Sequence, residues 1–503
     1  MLTASLRLIT TTALLATAAF AQEGRLLFQL SSPGSGGAIA YGGYAQALTN
    51  IGDVNGDGWQ DIVVGHPTSQ GPSGSGRIHL VSGHDGTLIH TCLSTQIGYL
   101  GVAVAAVGDV NGDLVPDLVG IGGSSLGSPT GSDIAVFSGS NGSVLFHLAV
   151  AATAIAAAGD WNGDLVPDFA YVDSGNLQIA AGATGATIAS LGSADQLAAI
   201  TSSPIARIAA RSGNTVTMYV AGSSPAWSVT GYSKIASAGD YNGDQLDDVL
   251  ALSGNNVQIL SGADGSALLT APVTGTAALC GGTDLDGDGT LDFVTGDPAG
   301  RGFVRAYSGA NGSLLFAREG QEVGEAFGTA VAMHPGAGTS LRTSVLVGVP
   351  YMFTGSDENG ALQVVAQALP GELDGSFRPF GQFCNFTSTQ IRPGGALPTI
   401  GQTYAYRFNN NTSPVGFEML AYGLSNTAWN GVPLPLTIPS VLSCQLFVSA
   451  DALVASNPSS SYGSLGIPLN AALSGYTLYL QAFNVSGYPL VEASNAAKIV
   501  IGN

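Results

Sequence analysis

Charge is scarce in this 503-residue chain: only 10% of its residues are Asp, Glu, Lys or Arg, while glycine is abundant at 72. Helical and disordered chains carry far more charge, so this balance excludes both and points to a turn-rich, strand-rich fold. Positive charge is the scarcer sign, with 14 Lys and Arg against 34 Asp and Glu for a net −20. Nucleic acid and anionic membranes are therefore not expected partners. Four cysteines in all are too few for a disulfide scaffold. Cys384 and Cys444 lie in one C-terminal region and make the expected disulfide. Cys280 sits among Ala277, Ala278 and Leu279, where it replaces an alanine in a packed strand, and Cys92 has no assigned role.

Long apolar runs are lacking too. The one candidate, over residues 8–19, follows Arg7 and leads to Ala19-Phe20-Ala21 before Gln22. It is too short to cross a bilayer and reads as a secretory signal over residues 1–21 with a small-x-small cleavage site. No other segment approaches a membrane span, so the mature protein is expected to have no transmembrane segment and to be secreted, extracellular or at the cell surface. Familiar catalytic signatures are missing as well: there is no HExxH, Walker loop or dinucleotide fingerprint. Gly123-Ser124-Ser125-Leu126-Gly127 fits G-x-S-x-G, but in a Gly/Ser loop rather than at a strand-to-helix elbow. The six histidines are scattered. No catalytic residue is assigned.

Oxygen-rich loops are what the chain does have. Residues 52–67, GDVNGDGWQDIVVGHP, put oxygen side chains at positions 1, 3, 5 and 9 of a nine-residue loop (Asp53, Asn55, Asp57, Asp61) and then enter an apolar strand. Ca²⁺ takes about six to eight oxygens, which these side chains and the position-7 carbonyl of Trp59 go far to supply. The register returns in Asp109, Asn111, Asp113, Val115 and Asp117, then in Asp160, Asn162, Asp164, Val166 and Asp168. Asp240, Asn242, Asp244, Leu246 and Asp248 make the fourth copy, and Asp284, Asp286, Asp288, Thr290 and Asp292 the fifth. Position 4 is always glycine (Gly56, Gly112, Gly163, Gly243, Gly287), which permits a positive φ. An EF-hand needs Glu at position 12 and flanking helices; position 12 here is Val64, Gly120, Tyr171, Ala251 and Thr295. About five Ca²⁺ sites are expected. The ligand positions of these loops hold 16 of the 34 carboxylates, so the acidity speaks of metal more than of partners.

A second phrase follows each loop: an apolar strand, Ser-Gly or Ala-Gly, a turn and another strand, as in IHLVSGHDGTLIH (78–90) and VQILSGADGSALL (257–269). Before each loop runs a strand of small residues, such as 102–106 or 155–158. Four antiparallel strands per unit is the build of a propeller blade, whose innermost strand is small because blades crowd at the axis. With Phe327-Gly328 and Gly65-His66-Pro67, residues 22–370 resemble the FG-GAP (integrin-α-like, or VCBS) repeat family, in its secreted bacterial type. The resemblance implies an all-β, seven-bladed β-propeller with calcium between first and second strands. The two units without full loops are read at 199–213, where Ala199, Thr201, Ser203 and Arg207 replace the ligands, and at 336–350, where Gly336, Gly338, Ser340 and Ser344 do. Neither is expected to hold metal. The last unit lacks a fourth strand, and Gly24-Arg25-Leu26-Leu27-Phe28, which reads like Gly312-Ser313-Leu314-Leu315-Phe316, is expected to supply it and close the ring.

After residue 370 the phrases stop, and residues 371–503 alternate apolar and polar in short runs, which predicts a C-terminal β-sandwich. The expected function is that of an extracellular binding or adhesion module for a protein or glycan partner. A propeller-based polysaccharide lyase or hydrolase and a structural cell-surface component remain as alternatives, because fold alone does not choose among them. Long loops at 66–76, 122–132 and 350–360, with Tyr41, Tyr99, Tyr351 and Phe353 in or near them, predict one elaborated arc opposite the calcium loops.

Overall fold

The computed structural model describes residues 22–31, 43–69, 76–123, 132–336, 342–351 and 360–367, except 202, 204, 223 and 224, and beyond these the C-terminal strands with residues 424–427, 434, 476 and 501. Every regular element among them is a β-strand. No helix among the described residues is long and apolar enough to cross a membrane. The proposed signal segment, residues 1–21, lies outside the described residues.

Three sheets run up and down in sequence order. The first holds Leu48–Gly52, Asp61–His66, Arg77–Val81 and Leu88–Cys92. The next holds Gln196–Ile200, Arg207–Ser212, Thr215–Val220 and Trp227–Thr230, and the third Lys234–Gly239, Asp248–Ser253, Asn256–Leu260 and Ala267–Pro272. A seven-stranded sheet runs from Ala103–Gly108 through Asp117–Ile121, Ser132–Phe137, Val144–Gly159, Asp168–Asp173 and Asn176–Ala180 to Thr187–Ser193. An eight-stranded sheet has the order Ala278–Thr283, Asp292–Asp297, Phe303–Tyr307, Leu314–Glu319, Gln22–Ser31, Ala361–Gln367, Ser344–Val349, Val331–His334.

Hydrogen bonding thus gives five sheets between residues 22 and 367, a correction to the seven separate ones the repeat count predicts. Two long strands account for the difference. The 16-residue Val144–Gly159 pairs through Phe146 and His147 with the strand before it and through Ala156 and Ala157 with the strand after it. Gln22–Ser31 pairs antiparallel with Ala361–Gln367, Leu26 facing Val365, while its first residues, Gln22 and Glu23, run parallel to Phe316 and Ala317. The N-terminal strand therefore fills the place beside Ala361–Gln367 that the sequence leaves vacant.

The strands before the oxygen-rich loops, or in the corresponding place, lie side by side in a ring: Leu48–Gly52, Ala103–Gly108, the end of Val144–Gly159, Gln196–Ile200, Lys234–Gly239, Ala278–Thr283 and Val331–His334, the last against the first. This is a β-propeller arrangement, and alanines such as Ala105, Ala156 and Ala236 let its inner strands converge. The core lies between sheets. Ile78, Leu80 and Cys92 of the first sheet pack on Leu118 and Phe137 of the next, and Val172 and Ile179 pack on Ile208 and Ala210. Full burial of side chains this size contributes roughly 1.5–3 kcal/mol each.

The C-terminal region contains a five-stranded sheet, Ser376–Phe380, Val491–Val500, Thr477–Val485, Phe417–Gly423 and Ala452–Ser456, and a three-stranded one, Ile391–Pro393, Thr403–Phe408 and Tyr462–Gly466. Cys384 and Cys444 lie outside the described residues; Cys92 and Cys280 are free thiols.

Candidate metal-binding loops

Each oxygen-rich loop joins an inner strand to the next strand outward, and its own side chains wrap its backbone. In the first loop, Asp53 Oδ1 accepts the N–H groups of Gly56 and Asp57, and Oδ2 accepts that of Gly58 at 2.8 Å. Asn55 Oδ1 accepts the Asp57 N–H, and Asp57 Oδ1 that of Trp59, both at 2.9 Å. The second and third copies repeat each bond, Asp109 and Asp160 taking the place of Asp53. The fourth keeps Asp244 N–H and Gln245 N–H on Asp240 and Leu246 N–H on Asp244. In the fifth, Asp284 accepts from Gly287 and Gly289, and Asp288 accepts from Thr290. The turn requires φ > 0 at position 4, which is 76° to 81° in all five glycines. Position 6 also takes φ > 0, and there Leu114, Leu165 and Gln245 adopt it without glycine's freedom, at 67° to 70°.

The ninth residue reaches further. Asp61 Oδ2 accepts the Val54 N–H at 2.8 Å, while Oδ1 accepts the N–H of Gly83, in the turn after the third strand. The same pair of reaches joins Asp117 to Val110 and Gly139, Asp168 to Trp161 and Gly182, Asp248 to Tyr241 and Gly262, and Asp292 to Leu285 and Gly309. This explains the glycine of the Ser-Gly phrase. A Cβ on any of those five glycines would lie 1.8 to 2.2 Å from the carbonyl oxygen of residue 8 of the loop. The phrase is thus half of each loop's anchor, and its sequence signal is the glycine that follows the third strand in every unit with a full loop.

Burial raises the ninth carboxyls, to about 6 for Asp248 and Asp292, against the pull of the backbone N–H donors. Position 5 is exposed, and the Ser140 hydroxyl with the Val115 N–H holds Asp113 below the usual carboxylate range. The fifth loop differs because Asp286 stands where the others have asparagine. Carboxylate oxygens of Asp284, Asp286 and Asp292 all come within 4.8 Å of one another, the one such cluster of three among the described residues. Burial, with Asp288 and Asp284 close by, raises Asp286. In the first four loops the asparagine instead donates Nδ2–H to the position-5 carboxylate, at 2.9 to 3.2 Å. At position 7, Trp59, Val115, Val166, Leu246 and Thr290 each donate their N–H to the position-5 carboxylate.

The unit at 199–213 is built differently. Arg207 holds the place of the ninth carboxylate, and its Nη1 donates to Gly262 O at 3.1 Å, in the following sheet. Residues 337–341 and the loop segments 70–75, 124–131 and 352–359, on which the elaborated arc and most of the G-x-S-x-G match depend, lie outside the described residues, as do Tyr41 and Phe353. Tyr351 is described and is 37% exposed.

Residues 53–120, two successive loops and the strands between them, match the FG-GAP-like repeat family. Over that stretch the chain carries FG-GAP-like repeat sequence. Integrin alpha-2 of Bos taurus is similar over 85 residues at 28% identity; that stretch is 15% of this chain and 7% of the integrin, so the likeness concerns a small part of either protein. Two crystal structures of BBS1N in complex with ARL6DN, one soaked with lead and one with mercury, align over 69% of this chain and 98% of theirs. Identity is 12% in both, with TM-scores of 0.47 and 0.46, too slight to bear on fold or function.

Proposed function

We propose that this FG-GAP-repeat chain is a secreted, calcium-loaded propeller that binds an extracellular protein or glycan. The observation that carries the reading is the fivefold loop lattice, whose ninth aspartate ties each loop to the turn of its own sheet. Calcium fits these loops: their donors are hard oxygens, and in the fifth the convergent carboxylates of Asp284, Asp286 and Asp292 call for a cation. Of the ion pairs among the described residues, Arg211 with Asp195 and Arg301 with Glu319 both lie away from the loops. The side chains at positions 1, 3, 5 and 9, with the position-7 carbonyl, would hold the ion. Bound calcium would supply charge neutralisation and stiffen the loop, leaving this chain's residues to present the opposite face.

We read the two large sheets as pairs of blades, joined through Val144–Gly159 and Gln22–Ser31, which brings the count to seven around the ring. Residues 371–503 are read as a β-sandwich module and residues 1–21 as an export signal. Likeness to an integrin segment supports binding over catalysis, and the aspartates at positions 1 and 9 of the loops are already engaged by backbone N–H groups. Two measurements test the reading. Thermal melting in EGTA and in millimolar calcium should differ, with Kd values of about 10⁻⁴ to 10⁻³ M as in extracellular modules; identical melting refutes the calcium assignment. A protein and glycan array probed with and without calcium should give calcium-dependent capture, and turnover of a polysaccharide on the same array would replace binding with catalysis.

A further inference from the structure

Opposite its oxygen-rich loop, the first sheet buries three polar rings together. His66 ends the strand Asp61–His66, His79 sits in the middle of Arg77–Val81, and Tyr44 lies in the segment leading into Leu48–Gly52. That segment is tied down by the Gly43 N–H, which donates to Pro350 O at 2.6 Å. All three side chains are at most 4% exposed. The two imidazoles have ring centres 5.7 Å apart, and Tyr44 stands edge-on to both, 5.5 Å from His66 and 5.7 Å from His79.

The hydrogen bonding of these rings is incomplete in an informative way. His79 Nδ1 lies 3.3 Å from Thr91 Oγ1. With the hydroxyl oxygen accepting from Nδ1–H, the lone pair of His79 is on Nε2, which is buried with no hydrogen-bond partner. His66 Nδ1 is likewise buried without a partner. Buried polar atoms are nearly always satisfied, so two orphaned ring nitrogens in one cluster point to an absent partner. A proton donor or a metal ion meets that need, and the fixed second nitrogen of His79 is the outer support that metal-bound imidazoles ordinarily have.

We infer that His66 and His79 together hold one nitrogen-seeking transition-metal ion, of the Cu⁺ or Zn²⁺ class, with Tyr44 as the wall of the site. Metal–nitrogen bonds of about 2 Å put two imidazoles sharing one ion at ring-centre separations of roughly 5–6 Å. Calcium does not compete, because it takes oxygen ligands while imidazole suits copper and zinc. Burial, with Arg77 adding to it, keeps both imidazoles neutral at pH 7.

The full chain, purified in excess calcium, tests this without any variant. Elemental analysis after growth with copper and zinc supplied should find one equivalent of copper or zinc. X-ray absorption should show nitrogen ligands with imidazole outer-shell scattering, its edge telling Cu⁺ from Zn²⁺. His66→Phe and His79→Phe should each lose the metal while keeping the calcium-dependent melting shift, and Thr91→Val should weaken metal binding about tenfold. A nitrogen-donor chelator should lower the melting temperature of the natural chain only. Metal content below a tenth of an equivalent overturns the inference. So does unchanged content in both phenylalanine variants, or a double phenylalanine variant more stable than the metal-replete chain.

Discussion

Asp168 and Asp164 belong to the same loop and carry the same charge, yet their removal should have different consequences. Asp168 is fully buried and accepts three backbone N–H groups, from Trp161 at 2.8 Å, Asn162 at 3.2 Å and Gly182 at 2.9 Å. Asp168→Ala leaves three donors with no acceptor, one fully buried and two partly so. At about 1–3 kcal/mol for each stranded group, less where water enters, the loss is about 3–5 kcal/mol with no calcium present. Asp164 is exposed and accepts only the Val166 N–H and the Asn162 amide. Asp164→Ala should therefore cost less than about 1 kcal/mol in EGTA. In 10 mM calcium, a site with Kd of about 10⁻⁴ to 10⁻³ M adds about 1.4–2.7 kcal/mol of stability, which either variant forfeits. Urea unfolding of both variants and the natural chain, in EGTA and in calcium, separates the two contributions. Equal losses for Asp164→Ala and Asp168→Ala in EGTA would refute the claim that the ninth residue knits loop to sheet independently of metal.

Glu325 is buried and its carboxyl is pushed up to about 8, chiefly by burial, with Glu322 adding to the rise and the Gln321 N–H opposing it. The unfolded chain gives up this proton near the ordinary value of 4.5 while the folded chain keeps it, so stability should fall as pH rises from about 4.5 to 8, by up to about 1.4 kcal/mol per unit. Glu325→Gln should flatten that slope in melts taken across pH 5 to 8, and an unchanged slope would show the carboxyl is not buried as a neutral acid. Leu114 is 91% exposed with φ of 67°; Leu114→Asn should raise stability by about 0.5–1 kcal/mol, since asparagine tolerates that conformation, and a measured loss would mean the leucine tip has a partner within the fold. Deleting residues 22–31 uncovers the long edge of Ala361–Gln367 and strips the Arg318 guanidinium of Gly24 O, 2.6 Å away. Light scattering should then report association and calorimetry a melting drop of at least about 5 °C; a monomer with unchanged melting would contradict closure by the N-terminal strand.

The repeating parts of the architecture were legible because they rest on local chemistry. Asp-x-Asn-Gly-Asp turns, period-two strands and the echo between residues 24–28 and 312–316 all act over a few residues, and each appears as a strand or turn in the structure. What sequence could not show depends on neighbours. Whether Val144–Gly159 breaks or runs on is decided by the two strands beside it, so five sheets appear where seven were counted. The glycines after the third strand looked like turn residues, since the carbonyl that crowds Gly83, from Gln60, lies 23 positions back in the chain. His66 and His79 are separated by a loop and read as scattered histidines; only the pairing of Gly65 with Ile78 and Val64 with His79 brings them together.

The N-terminal strand also sets the order of assembly. Gln363 Nε2 donates to Gln29 Oε1 across 334 positions, and closing so long a loop costs about 3 kcal/mol more entropy than closing a hairpin of about ten residues. Each four-stranded unit can form from contacts local in sequence, but this latch cannot form until nearly the whole ring has been made. A chain emerging from synthesis or export from its N-terminus thus releases its latch strand first and uses it last. Until then Gln22–Ser31 is an unpaired edge carrying Leu26, Leu27 and Leu30, open to pairing with another copy. Slow ring closure, rather than slow blade formation, should limit the yield of folded protein.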